Sequence, residues 1–224
     1  MDFIFMLTHH DKTVQNCLDV YDSLSGIGLK HVGFKDVGVA KATLKELTRR
    51  IKADGCIAYV EVVSQTPETI RQSITASAEL GVDRVLGGQD IKLAMDTFKG
   101  GGPSYYPFPG KPVGHPTKLG GTAIDVEEDC RKAVSSGCPG VDLLAYRATE
   151  ADPLDLIRAA RRGVGDSGYL IVAGSIDSPA RIKAVAAAGA DAFTIGSAVF
   201  EEAFAQGVKG VRDQCKAVLR ATGT

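Results

Sequence analysis

The stretch LIVAGSIDSPARIKAVAAAGADAFTIGSAVFE, residues 170–201, decides the fold. It opens on four apolar residues, Leu170-Ile171-Val172-Ala173, a run with the length of a buried strand. The pair Gly174-Ser175 ends that run. At Ser178-Pro179 a helix starts, because the serine hydroxyl accepts from a free first-turn N–H and proline at the first helical position sacrifices no bond. The alanine-rich segment 179–188 runs to Gly189, a residue able to close a helix in the left-handed conformation. A second apolar run, Ala192-Phe193-Thr194-Ile195, then ends at a second pair, Gly196-Ser197. Strand, helix and strand in this spacing make a parallel βαβ unit.

The unit recurs along the whole chain. Apolar runs fall at Phe3–Leu7, His31–Lys35, Ala58–Val63, Arg84–Leu86, Tyr105–Phe108, Val141–Tyr146, Leu170–Ala173 and Ala192–Ile195. Helical patterns fall at about 12–25, 40–53, 67–80, 90–98, 125–137, 153–163, 179–188 and 199–221. Eight repeats in 224 residues without a linker predict an α/β fold, a single-domain (β/α)8 TIM barrel spanning residues 1–224. An open doubly wound sheet is the structural alternative, since periodicity does not report closure. Thr66-Pro67 and Asp152-Pro153 mark further helix starts in the same way as Ser178-Pro179. Strands therefore end, and helices begin, on one face, where such barrels place their ligands.

Composition narrows the function classes. A formal charge of -1 with no basic stripe speaks against nucleic acid, whose phosphates demand clustered Lys and Arg. No apolar run reaches the roughly 18 residues of a membrane span. The start, Met1-Asp2-Phe3-Ile4, lacks a basic leader and reads as a strand. Cys17, Cys56, Cys130, Cys138 and Cys215 are odd in number and widely spaced, as expected of reduced thiols in a cytoplasmic protein. No oligomer interface is legible, although a homo-oligomer is compatible with the pattern. No cofactor and no metal is expected. A set of His9, Asp36 and Glu61 has no ligand spacing behind it.

The two Gly-Ser pairs terminate strands seven and eight, which are neighbours in a barrel. Glycine lets a backbone approach a ligand, serine adds a hydroxyl, and the turn into a helix aims amides at an anion. A phosphate site at Gly174, Ser175, Gly196 and Ser197 is the predicted consequence. The segment 168–204 resembles the closing part of the ribulose-phosphate-binding barrels, where a Gly-containing turn leads through "AGAD" to a strand ending in "GSA". Families of that superfamily include ProFAR isomerases, N-acetylmannosamine-6-phosphate 2-epimerases and 3-keto-gulonate-6-phosphate decarboxylases. The resemblance implies a phosphorylated small-molecule substrate bound at those four residues and is silent about the reaction.

Strand parity supplies the chemistry. In His31-Val32-Gly33-Phe34-Lys35, Val32 and Phe34 belong under the helices, so Lys35 points into the barrel. In Tyr59-Val60-Glu61-Val62 the same logic turns Glu61 inward, beside Lys35. An amine and a carboxylate in a dry mouth suit removal of a proton next to a carbonyl, as in isomerisation or epimerisation. The same lysine suits a Schiff-base lyase, and a non-catalytic phosphometabolite-binding protein is the third reading. Lys35-Asp36 resembles the "KRD" turn of the mannosamine-phosphate epimerases, whose lysine is catalytic, but their "AEG" turn is replaced by Ala173-Gly174-Ser175. It also resembles the "VKN" lysine of the archaeal furan-phosphate synthases, which share an "AGS" turn.

His9, with His10 and Asp11 beside it, is a further candidate acid or base at the end of strand one. Arg147, at the end of strand six, either clamps an anionic ligand group or pairs with Glu150 or Asp152. The glycine- and proline-rich segment 109–121 exceeds the usual loop length and reads as a lid, with Lys111, His115 and Lys118 as candidate ligand contacts.

Overall fold

The structure, a computed structural model, describes residues 1–63, 66–114 and 116–223. Eight parallel strands form the barrel wall: β1 Asp2–Met6, β2 His31–Lys35, β3 Ile57–Val62, β4 Arg84–Gly87, β5 Ser104–Tyr106, β6 Gly140–Leu143, β7 Tyr169–Val172 and β8 Ala192–Ile195. Their order is β6-β7-β8-β1-β2-β3-β4-β5. The remaining seam is bridged where Asp142 N–H donates to the Pro107 carbonyl just beyond β5, at 3.0 Å. The sheet is thus a nearly closed barrel, and the open alternative is set aside.

Nine helices surround it among the described residues: α1 Cys17–Ser23, α2 Lys41–Ala53, α3 Pro67–Leu80, α4 Ile91–Phe98, α5 Ala123–Ser135, α6 Pro153–Val164, α7 Pro179–Ala187, α8 Ser197–Phe200 and α9 Val211–Ala221. The three cap residues read from sequence work as expected. Thr66 accepts from Thr69 N–H, Asp152 from Leu154 and Asp155 N–H, and Ser178 from Arg181 N–H.

Alternation along the strands sorts side chains into two cores. Phe3, Phe5, Val32, Phe34, Val60 and Val62 face outward and are buried under the helices. Ile4, Met6, Tyr59, Leu86, Tyr106, Ile171 and Ala192 face inward and fill the barrel. Nearer the amino-terminal end, Arg84 lies over the rings of Tyr59, Tyr106 and Tyr169 at 5.3, 5.5 and 4.9 Å. It also donates to Tyr59 Oη at 2.8 Å. Each desolvated cation–π contact contributes up to about 2 kcal/mol, so this end is plugged rather than open.

Three segments depart from the expected pattern. Residues 12–25 do not begin as helix: Thr8–His9 and Lys12–Thr13 first pair antiparallel, and only then does α1 start. Residues 199–221 are not one helix. Glu202, Gly207 and Gly210 take positive φ of 54, 76 and 80° between α8 and α9. Buried Gln214 holds that bend by accepting from Ala205 N–H and donating to the Ala205 and Val208 carbonyls. Strand six stops at Leu143, and Ala145–Arg147 is a turn of 3-10 helix. That turn directs Arg147 back over the barrel mouth instead of along the strand. The segment 109–121 contains an antiparallel hairpin, Lys111–Val113 with Lys118–Gly120, pinned by buried Leu119. No helix among the described residues is long and apolar enough to cross a membrane.

Candidate functional site

A cleft of about 290 Å³ opens at the carboxy-terminal ends of the strands. Asp11, Lys35, Glu61 and Arg147 line it together with Gly174, Ser175, Gly196 and Ser197. Lys35 and Glu61 are register partners on β2 and β3, so their side chains leave the sheet at one level. Lys35 Nζ stands 3.2 Å from Glu61 Oε1 and 2.5 Å from Asp11 Oδ1. Both ends of the Lys35 pairs are buried. Burial alone draws the lysine pKa down, but the charges of Glu61 and Asp11 outweigh it and the net direction is upward.

Asp11 reaches this position through a backbone detour. After Thr8–His9 the chain turns through His10 and Asp11, at φ 48 and 62°, and returns as Lys12–Thr13. A two-residue turn with positive φ at both positions ordinarily selects Asn-Gly or Asp-Gly. The hairpin is fixed to β2, where Thr13 Oγ1 donates to the Lys35 carbonyl at 2.7 Å and accepts from Lys35 N–H at 2.9 Å. Asp11 accepts further bonds from Arg147, at 3.2 and 3.3 Å. Burial raises the Asp11 carboxyl, yet the hydrogen bonds and charges of Arg147 and Lys35 prevail and hold it at about 2. Arg147 therefore pairs with Asp11, and not with Glu150 or Asp152. It also donates to the Thr117 carbonyl at 3.2 Å.

Beneath this group lies Asp142, on β6, fully buried with neither carboxylate oxygen partnered among the described residues. Burial first, and the Glu61 charge second, push its pKa well above the usual carboxylate range. Burial thus favours its protonated form. The run Val141–Tyr146 reads as apolar strand with one interruption, and the inward parity of Asp142 was the signal that would have marked it.

The opposite wall is built from the two Gly-Ser turns. Gly174 takes φ 82° and packs so closely that a Cβ there would sit 2.8 Å from Arg147 Cγ. Ser175 is also left-handed, at φ 56°. At Gly196 a Cβ would lie 2.6 Å from Thr8 Oγ1, so only glycine lets the two chains meet. Among the described residues none accepts a hydrogen bond from the amides of Gly174, Ser175, Gly196 or Ser197. Arg181 of α7 braces the first turn: it donates to the Ser175 carbonyl and to Asp177, and stacks on Tyr146 at 4.8 Å. The result is a concave, amide-lined wall facing a buried amine.

Other candidates lie elsewhere. His9 does not line the cleft; its Nε2 stands 3.1 Å from Glu201 Oε1 on the rim. Lys118 is exposed on the 111–120 hairpin and also stands outside the cleft lining. Lys111 pairs with Asp125 at 3.1 Å. His115 lies outside the described residues. Asp36 is partly buried at the end of β2, where desolvation raises its pKa; it accepts from Val63 N–H at 3.4 Å.

No family model matches the chain, and no curated protein matches it in sequence. Among solved structures it is similar to orotidine 5'-phosphate decarboxylase from Pyrococcus horikoshii OT3, at 13% identity and a TM-score of 0.68, covering 99% of each chain. At this identity the likeness concerns the fold, and it extends from the first strand to the last helix. The chain has the (β/α)8 barrel fold that it shares with this decarboxylase.

Proposed function

We propose that this protein is an enzyme acting on a small phosphorylated carbonyl compound, and that it moves a proton at the carbon next to the carbonyl, as an isomerase or epimerase does. One observation carries the reading: an ammonium held between two carboxylates shares a cleft with two glycine-serine turns whose amides have no acceptor among the described residues. The phosphate would take the amides of Gly174, Ser175, Gly196 and Ser197, which fixes the rest of the molecule against Lys35. Lys35, with its raised proton affinity, stays an ammonium at neutral pH and faces the carbonyl oxygen, where negative charge develops as an enediolate forms. Glu61 removes the carbon-bound proton and returns it to the same or the neighbouring carbon. Asp11 stays ionised and keeps Lys35 and Arg147 in place.

A Schiff base requires a neutral amine, and the two carboxylates beside Lys35 work against one. A second reading, decarboxylation, draws on the name of the fold neighbour, whose substrate is also a phosphate ester. It would end in a carbanion that the Lys35 ammonium can protonate.

The test is solvent exchange. Phosphorylated aldoses and ketoses are incubated with the enzyme in heavy water and examined by proton NMR. The expected result is deuterium at the carbon next to the carbonyl of one substrate, with the rate lowered by about 10²-fold or more in Glu61→Gln. Borohydride added during turnover should leave Lys35 unmodified. A trapped adduct on Lys35, or exchange indifferent to Glu61, would reject the mechanism in favour of the Schiff-base lyase or of another base.

A further inference from the structure

The turn that delivers Asp11 to the cleft has a second consequence on its outer side. It places His9 and His10 next to Glu201, and one ligand atom of each of the three lies within 4.8 Å of the others. The His9 and His10 rings are 3.7 Å apart and tilted by 32°. His9 also rests on Phe200, with ring centroids 6.1 Å apart. His9 Nε2 and Glu201 Oε1 are separated by 3.1 Å. Two ligands at about 2.0–2.1 Å from a tetrahedral ion stand roughly 3.3 Å from each other, so this pair already has the spacing of neighbours on one metal.

The backbone turn sets the two imidazoles side by side. Asp11 accepts its positive φ in return for bonds to Lys35 and Arg147. Among the described residues His10 makes no such bond, and its ring contact is with His9. What the conformation does at His10 is bring a second imidazole beside the first.

We propose that His9, His10 and Glu201 bind a divalent transition-metal ion of the zinc class at the mouth of the cleft. Two imidazoles and one carboxylate suit zinc, cobalt or nickel better than magnesium or calcium, which favour all-oxygen sets. Three protein ligands leave at least one position open, the pattern of metal sites that meet a ligand rather than of closed structural ones. Glu201 lines the cleft beside Ser197 and Ala198, so the ion borders the path of an entering anion. The site stands apart from Lys35 and Glu61 and does not depend on the reaction assigned to them.

The test uses chelator-treated protein titrated calorimetrically with zinc chloride, and then with cobalt(II) followed by visible absorption. The expected result is one ion per chain, with the dissociation constant raised at least about tenfold by His9→Ala and by Glu201→Gln. His10→Asn, which keeps a residue tolerant of the left-handed turn, should weaken binding similarly. Cobalt should show d–d bands without the near-ultraviolet thiolate band that binding at cysteine produces, and Cys56→Ser should change nothing. Absence of zinc binding in the micromolar range would overturn the proposal. So would affinity that survives in all three ligand variants, each checked for native fold by circular dichroism.

Discussion

Asp142 shows how a single carboxyl links the fold to its pH response. Burial in the barrel shifts it toward the protonated form, whereas in the unfolded chain it ionises above the ordinary value of 3.8. Between those two values the native state binds the extra proton, so stability is full below the unfolded pKa and declines as pH rises toward the folded one. Asn in its place needs no proton. Asp142→Asn should therefore stabilise the protein more at about pH 7 than at about pH 4, the gain growing by about 1.4 kcal/mol per pH unit until the folded pKa is reached. Thermal unfolding at the two pH values measures this; equal effects at both would mean that Asp142 is ionised in the fold. Asp11 behaves oppositely: its carboxyl, held at about 2, supports the fold at neutral pH and loses that contribution as the solution is acidified from about pH 4 toward 2. The Lys35 and Glu61 neighbourhood was legible because alternation in a clean apolar strand leaves one direction for each side chain. Asp11 was not, because it sits in a turn, where no such alternation exists.

Among the elements, the hairpin Thr8–Thr13 and the turn at Gly174-Ser175 shape the cleft more than any helix does. Left-handed, non-glycine residues recur around it: His10, Asp11 and Ser175 in its turns and Glu202 just behind its rim. Such conformations persist where surrounding bonds hold them. Thr13, Lys35 and Arg147 hold the hairpin, and Arg181 holds Ser175. At His10 the strain is released by glycine. His10→Gly should stabilise the fold by about 0.5–1 kcal/mol, the left-handed penalty less the added flexibility of glycine, read as a rise in Tm. A fall in Tm would show that the His10 ring contributes more to the fold than its backbone costs. The alternating pattern reported βα units well, with β2 and β8 matching to the residue. It failed where a short polar hairpin or a bend such as 201–210 interrupts a helical period, since the ties responsible, Thr13 to Lys35 and Gln214 to Ala205, join residues distant in the chain or specific to one loop.

For the whole molecule, the barrel is a graded column. Arg84 in its tyrosine cage plugs the amino-terminal end, Ile4, Leu86 and Ile171 fill the middle, and Lys35, Glu61 and Asp142 stand beneath the open rim. The apolar middle insulates the rim from solvent on the far side, which raises the Asp142 carboxyl and keeps Lys35 paired. Eight repeats made the parallel βα order readable, whereas closure at the seam of Pro107 and Asp142 depends on one register that no periodicity encodes. The likeness to a solved decarboxylase over 99% of both chains agrees with that architecture and leaves the chemistry to the rim residues. The most direct test of their assignment is a crystal structure of the protein soaked in inorganic phosphate. Density for the anion is expected within hydrogen-bonding distance of the Gly174, Ser175, Gly196 and Ser197 amides, with Lys35 Nζ across the cleft still between Asp11 and Glu61. An anion bound only elsewhere, with those four amides left empty at saturating phosphate, would contradict it.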